Sequence, residues 1–304
     1  MDYELLVLDI DGTVTNSEKE VMSRTRDEVI RIQKQGVKVV LASGRPPEGI
    51  LPVARTLQLD QYDSYLLAFN GGKIIRLQTE ECIFERHLPA HIPKRLWKDA
   101  KEQGIGMAAY GKGVILAGTL PDRYLKLESS VSRMPIEYHG NLGNERDLVV
   151  NQCILTGDPD VLDRIEPTLF YRYFHEAEIF HSEPFYLEVS PKNVDKAYGL
   201  KYLLPVLGIP REKMVCCGDS YNDVRMLQYA GKGVAMKNAP ESVKVVADFV
   251  TERDNDHDGI AEVVKRFFYN RKANTFSGVL VHRFANNYTN RLPNDVLVCP
   301  LTQL

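Results

Sequence analysis

Residues 3–13 read YELLVLDIDGT. Apolar side chains occupy successive positions and then give way to a polar Asp-Gly-Thr turn. A strand with one wet face would alternate, so the run predicts a strand buried on both faces, as in a parallel sheet. Outward from it, strand and helix take turns. SRTRDEVIRIQKQG (23–36) places Val29 and Ile30, and more distantly Thr25 and Gln33, at helical spacing, with Ser23 the candidate N-cap and Gly36 the stop. VKVVLASGR (37–45) is a second buried strand ending in a loop. PPEGILPVARTLQL (46–59) is a helix with Pro near its start, and YDSYLLAFNGGKII (62–75) is two strands joined at a Gly-Gly turn. The rhythm returns with the helix DKAYGLKYLLPVLG (195–208), the polar-tipped strand EKMVCCGDS (212–220) and the helix NDVRMLQYAG (222–231). KGVAMKNAP (232–240) and ADFVTERDNDHDGIAEVVKRFF (247–268) add two strands and a closing helix. The alternation predicts an α/β fold, a doubly wound, Rossmann-like parallel sheet whose ligand site lies beyond the carboxyl ends of its strands.

The middle of the chain breaks this rhythm. It holds the helical HIPKRLWKDAKEQG (91–104), then glycine-punctuated short strands such as GIGMAAYGKGVILAG (104–118) and DLVVNQCILTGD (147–158), and later FYRYFHEAEIFH (170–181). An α+β module inserted into the first fold is expected, with 82–189 as the insert and 1–81 together with 190–270 as the core. Residues 271–304, rich in Asn and poor in acidic residues, form a C-terminal extension of unassigned structure. The aromatic residues between 170 and 186 read as alternate strand positions packing a small core, in preference to a pocket lining.

At 304 residues the chain exceeds the usual size of one domain. Its 44% hydrophobic and 26% charged residues exclude a mostly disordered chain. A net charge of −3 and a pI near 6.2 give no broad basic face for nucleic acid, so an anionic ligand must be met locally. No apolar run approaches the roughly 18 residues of a membrane span, and the acidic residues at positions 2 and 4 are unlike a signal peptide, so a cytoplasmic protein is expected. The five cysteines (82, 153, 216, 217 and 299) lack C-x-x-C spacing and fit reduced thiols, with Cys216 and Cys217 as small buried hydrophobes. The seven histidines show no metal-ligand spacing.

Three strand ends carry chemistry. Asp9 and Asp11 leave the first strand one residue apart, and GDSYND (218–223) sets Asp219 and Asp223 at the end of another strand and in the first turn of the next helix. Four carboxylates converging on one face would repel unless a cation or a shared proton intervened, and hard oxygen ligands of this kind suit Mg²⁺ better than Ca²⁺. At the third strand end, Ser43 and the neighbouring backbone amides, that of Gly44 among them, could cradle an anionic oxygen, with the charge of Arg45 nearby. Lys196 opens a predicted helix, where the macrodipole disfavours a cation, and that misfit points to a task.

The set DIDGT, ASGR, Lys196 and GDSYND resembles the four motifs of the haloacid dehalogenase-like hydrolases, in particular their Cof-type sugar-phosphatase branch. FNGG (69–72), VAMKNAPESVKVVADFVT (234–251) and DHDGIAEVV (256–264) extend the likeness from position 3 to about 268. The resemblance implies that Asp9 is a nucleophile that takes the phosphoryl group, and that Asp11 protonates the leaving group and then activates water. It also implies that Ser43 and Lys196 hold phosphoryl oxygens. Mg²⁺ would sit on Asp9, the Asp11 carbonyl and Asp219, with Asp223 supporting from close by. Arg45, Asn70, Asn222 and Asn238 are lesser site residues by the same match. Only 33 residues separate Asp9 from Ser43 but 152 separate Ser43 from Lys196, so the extra domain falls in the second gap. There the family carries a cap that closes over the site and reads the leaving group. The expected activity is Mg²⁺-dependent hydrolysis of small phosphorylated metabolites, sugar phosphates first. The alternatives are a phosphohexomutase of the same fold or a catalytically weak phosphometabolite-binding regulator. Relatives in this branch stop soon after GIAEVVKRFF, whereas this chain continues.

Overall fold

The structure is a computed structural model that describes residues 3–142 and 148–269. The expected extension at 271–304 lies outside the described residues. In chain order come β1 (Leu5–Leu8), α1 (Ser23–Lys34), β2 (Lys38–Ala42), α2 (Pro47–Thr56), β3 (Tyr65–Ala68), β4 (Lys73–Arg76) and β5 (Glu81–Glu85). Then follow α3 (His91–Gln103), β6 (Gly106–Tyr110), β7 (Ile115–Ala117), α4 (Arg123–Ser132) and β8 (Ile136–Tyr138). After these lie β9 (Cys153–Thr156), α5 (Pro159–Tyr173), β10 (Ala177–Glu183) and β11 (Tyr186–Pro191). The chain continues with α6 (Lys196–Leu207), β12 (Met214–Gly218), α7 (Val224–Tyr229), β13 (Lys232–Ala235), α8 (Glu241–Lys244), β14 (Phe249–Val250) and α9 (Gly259–Phe268).

All four residues of β1 are buried because the strand is central in the larger sheet, between β12 and β2. That sheet runs β14-β13-β12-β1-β2-β3-β4-β5. Pairing is parallel from β14 to β3, and apolar layers cover both faces, Leu6, Leu8 and Leu41 on one and Leu5, Val7 and Val40 on the other. The doubly wound parallel sheet therefore stands, with an antiparallel edge. β3, β4 and β5 pair antiparallel because short turns, unlike crossover helices, can only reverse the chain. The Phe69–Gly71 turn takes positive φ at three consecutive residues, 51°, 52° and 94°.

The smaller sheet, β10-β11-β9-β6-β7-β8, is antiparallel except for β7 with β8. Leu155, Leu187 and Met107 on one face pack with Ile92 and Leu96 of α3 and Leu162 and Leu169 of α5. Ala108, Tyr110, Ile154 and Tyr186, on the other face, belong to the apolar cluster that contains Ile50 and Phe69 of the first unit. This face is thereby turned toward the carboxyl ends of the large sheet.

Local departures from the sequence reading have physical causes. Ser23 is the first residue of α1 and not its cap; the cap is supplied from a distance by Asp258 Oδ1, which accepts from Thr25 N and Thr25 Oγ1, both at 3.0 Å. Ile32 is buried on α1, whereas Ile30 is only partly so. The stretch 170–181 is the last turn of α5 leading into β10, not strand throughout. Phe170 and Tyr171 are accordingly exposed instead of packing a core.

Candidate active site

β1 leads into Asp9, whose amide donates to Cys217 O of β12 at 3.0 Å, so the two carboxylate-bearing loops start side by side. Lys196 is the first residue of α6, with Asp195 as N-cap accepting from Tyr198 N at 2.7 Å. Its ammonium is fully buried and donates to Asp9 Oδ1 at 2.5 Å and to Asp223 Oδ1 at 2.6 Å. Burial alone would push Lys196 down, but Asp223 and Asp9 outweigh it and hold the group raised and charged. The cation at the helix start thus answers two carboxylates that the dipole does not.

Asp223 closes a capping box with Ser220, and its Oδ2 accepts from the amides of Asp219 and Ser220, each at 3.0 Å. Asp219 Oδ1 accepts from Thr13 Oγ1 at 2.7 Å. Gly12, at φ 80°, leaves room for Asp219: a Cβ there would lie 2.3 Å from Asp219 Oδ2. Burial and Asp223 push the Asp9 carboxyl well up against the pull of Lys196, and burial, opposed by the Thr13 bond and aided by Asp223, pushes Asp219 up to about 6. Oxygens of Asp9, Asp219 and Asp223 lie within 4.8 Å of one another. Three crowded hard-oxygen groups that one ammonium only partly compensates fit a divalent cation.

The four carboxylates do not all converge, however. Asp11 is drawn aside by a two-pronged contact from Arg45, Nε to Oδ2 at 2.8 Å and Nη2 to Oδ1 at 2.6 Å, and by Lys19 Nζ at 2.8 Å. Burial opposes ionisation of Asp11, but Arg45 and Lys19 prevail and lower its pKa. A bidentate guanidinium is a stronger partner than a crowded anionic cluster. Arg45 is therefore committed to Asp11, with its Nη1 on Gly49 O at 3.2 Å.

Ser43, buried at the end of β2, accepts the Arg45 amide on its Oγ at 3.2 Å. Asn70 N donates to Ser43 O at 2.9 Å, and Asn70 Oδ1 accepts from Asn222 Nδ2 at 3.1 Å, so one residue, through its backbone and its side chain, ties the loops after β2, β3 and β12 together. A Cβ on Gly44 would approach Asn70 Nδ2 to 3.1 Å, which leaves glycine the fitting residue beneath that tie. Asn238 Nδ2 donates to Gly12 O at 2.8 Å and braces the turn between Asp11 and Thr13. Cys216 and Cys217 are fully buried on β12, and burial raises both thiols.

These loops floor a cavity of about 1000 Å³ roofed by the smaller sheet and α4, where Tyr110, Glu128, Tyr186 and Glu188 line it. Phe180 and Phe185 line it too, so part of the aromatic stretch serves the cavity after all. The roof residues escape sequence reading because β11 carries no motif; only its alternation of Tyr186 and Glu188 with the buried Leu187 and Val189 marks a second face. Thr13 was within reach as the last residue of DIDGT, but nothing in the sequence marks Lys19.

A family model described as haloacid dehalogenase-like hydrolase matches residues 6–264. The chain is similar to a solved haloacid dehalogenase-like hydrolase from Bacteroides thetaiotaomicron, with 40% identity, a TM-score of 0.84, and 88% of this chain and 100% of that one covered. It is also similar to a putative phosphatase of Streptococcus pyogenes serotype M6, at 28% identity over 89% of this chain and all of the relative. A further solved structure, described as a subclass IIB sugar phosphatase, matches at 25% identity and a TM-score of 0.73, covering 87% and 98%.

Proposed function

The chain belongs to the haloacid dehalogenase-like hydrolase family, and from that premise we propose that it is a phosphatase for small phosphomonoesters, sugar phosphates first, working through a phosphoryl group carried transiently on Asp9. The observation that carries this reading is the setting of Asp9: a carboxylate at the tip of the central strand, held by Lys196 at 2.5 Å and facing a cavity of about 1000 Å³. The sugar phosphatase among its structural relatives supports the substrate class.

In the first step an Asp9 oxygen attacks phosphorus, the bond from phosphorus to the leaving oxygen breaks, and that oxygen takes the bond's electron pair and a proton from Asp11. Water then attacks phosphorus and gives a proton to Asp11. The bond from Asp9 to phosphorus breaks, which restores the carboxylate and frees inorganic phosphate. Arg45 and Lys19 hold Asp11 ionised in this arrangement, which suits the second step; donating a proton in the first requires those contacts to loosen. Lys196, Ser43 and the Gly44 amide would bind phosphoryl oxygens, while Asn70 and Asn222 fix the loops that present them. Asp9, Asp219 and the Asp11 carbonyl would hold Mg²⁺, and Asp223, whose two oxygens are engaged by Lys196 and two amides, would support from behind. When bound, the ion neutralises charge on the phosphoryl oxygens.

The unit built on the smaller sheet would act as the cap and the unit built on the large sheet as the catalytic core, roof and floor of the same cavity; the expected insert at 82–189 shifts a few residues toward the C-terminus, because β5 pairs with β4 in the large sheet and β11 runs to Pro191 in the smaller one. The free, buried thiols of Cys153, Cys216 and Cys217 suit a cytoplasmic setting, and no helix among the described residues is long and apolar enough to cross a membrane. The test is phosphate release from a panel of sugar phosphates with Mg²⁺ and with EDTA. Release should require Mg²⁺ and fall at least a thousandfold in Asp9→Asn, on the order expected for loss of a nucleophile; turnover surviving in that variant would remove Asp9 from the mechanism.

A further inference from the structure

The floor of the cavity carries charges of both signs, with Asp9, Asp11, Asp195 and Asp219 among its cations, whereas the roof is acidic. Lysines and arginines that line the cavity, Lys19, Arg45 and Arg225, all come from the large-sheet side, and each is paired there, the first two with Asp11 and the third with Asp195 at 3.0 Å. The roof, drawn from α4 and the smaller sheet, contributes Glu128, Glu178, Glu183 and Glu188 beside His181 and, among the described residues, neither lysine nor arginine. Glu178 has Lys192 at 3.0 Å. Glu128 and Glu188 have neutral partners instead: Tyr110 Oη donates to Glu128 Oε1 at 2.9 Å, and Gln152 Nε2 donates to Glu188 Oε2 at 2.7 Å.

A second observation concerns the groups behind Glu188. Gln152 and Ser190 are each 1% exposed, yet Gln152 Oε1 and Ser190 Oγ have no hydrogen-bond partner among the described residues. Ser190 shares the strand face of Tyr186 and Glu188, and Gln152 stands two residues before Ile154, which lies opposite Glu188 and also lines the cavity. Buried polar atoms are ordinarily paired, so this corner of the roof has unmet hydrogen-bonding capacity. Burial and the neighbouring Glu128 push the Glu188 carboxyl up to about 7 against hydrogen bonds from Ser182 and Gln152, and burial raises Glu128 as well against the Tyr110 bond and the pull of Arg45.

We propose that this roof selects phosphomonoesters whose leaving group carries an amine, its ammonium received by Glu128 and Glu188 while the phosphate meets Lys196, Ser43 and the Gly44 amide on the floor. The inference rests on the phosphatase reading and narrows it, because a leaving group with a second phosphate, as a mutase needs, would be repelled by these carboxylates. A hydrogen bond between ions, partly shielded from water, favours the matched substrate by about tenfold or more.

The experiment compares kcat/KM for glucosamine 6-phosphate, glucose 6-phosphate and fructose 1,6-bisphosphate, with p-nitrophenyl phosphate as a general phosphatase substrate. The amino sugar phosphate should exceed the neutral sugar phosphate by about tenfold, with the bisphosphate below both. In Glu188→Gln, and separately in Glu128→Gln, the ratio of amino to neutral substrate should collapse toward one. Phosphate release with a ratio at or below one, or a ratio unmoved in both variants, overturns the amine assignment and leaves the phosphatase standing. Failure to release phosphate from any compound overturns the phosphatase reading instead. Calorimetric binding of the amino and neutral sugar phosphates in Mg²⁺ then decides the roof: tighter binding of the amine upholds its role, and equal or weaker binding overturns it.

Discussion

Both carboxylate oxygens of the fully buried Asp223 are occupied, one by Lys196 at 2.6 Å and the other by the amides of Asp219 and Ser220. Removing that carboxylate would leave the buried Lys196 ammonium with Asp9 alone and two amides without an acceptor. Asp223→Ala should therefore destabilise the fold by about 3–5 kcal/mol, read from urea unfolding; a wild-type midpoint would show that Asp223 does not anchor the site. At this scale the sequence was informative wherever chemistry sits in a motif. Asp9, Asp219, Asp223 and Lys196 meet as their strand-end positions suggest. The place of Asp11 was not legible, because it depends on a fork from Arg45 that spans 34 positions, and a Ser-Gly-Arg tripeptide does not reveal which anion its arginine will choose. Glu128 and Glu188 were invisible for a related reason: each is an ordinary glutamate until folding places it over the cavity.

Helix α1 begins without a side-chain cap of its own, and Asp258, at the start of α9, supplies one across 233 positions. This contact couples the second element of the chain to the last described helix. Asp258→Ala should cost about 1–2 kcal/mol, from the lost cap and from placing alanine at a φ of 62°. Asp258→Asn, which keeps an acceptor oxygen and tolerates that φ, should stay near wild type. Equal thermal midpoints for wild type and the alanine variant would argue that α1 needs no such cap. The buried strands β1, β2 and β12 were readable because unbroken apolar runs bounded by polar turns have few other interpretations. α5 was less so, since Pro167 inside the helix and aromatic residues at its end imitate strand composition. The antiparallel β3–β4–β5 edge followed from turn length, which the Gly-Gly turn indicated for its first half only.

At the scale of the molecule, two sheets of different construction enclose one cavity, the largely parallel one supplying cations and the metal-fitting carboxylates and the largely antiparallel one an acidic roof. Glu48 Oε1 accepts from Gly113 N at 3.0 Å, and the Phe69 and Tyr110 rings stand 5.7 Å apart, so the sheets meet through both polar and aromatic contacts beside the site. On the proposed function such a division would give phosphorus chemistry to one unit and leaving-group choice to the other, and it makes Asp9 the point on which the account depends. The most direct measurement is mass-spectrometric mapping of the phosphoryl group in the Asp11→Asn variant, acid-quenched during reaction with a sugar phosphate in Mg²⁺. With the acid/base impaired, the intermediate should accumulate, and the phosphoryl group should be found on Asp9. Phosphate released into solution with none on the chain, or a phosphoryl group on any other residue, would contradict the account.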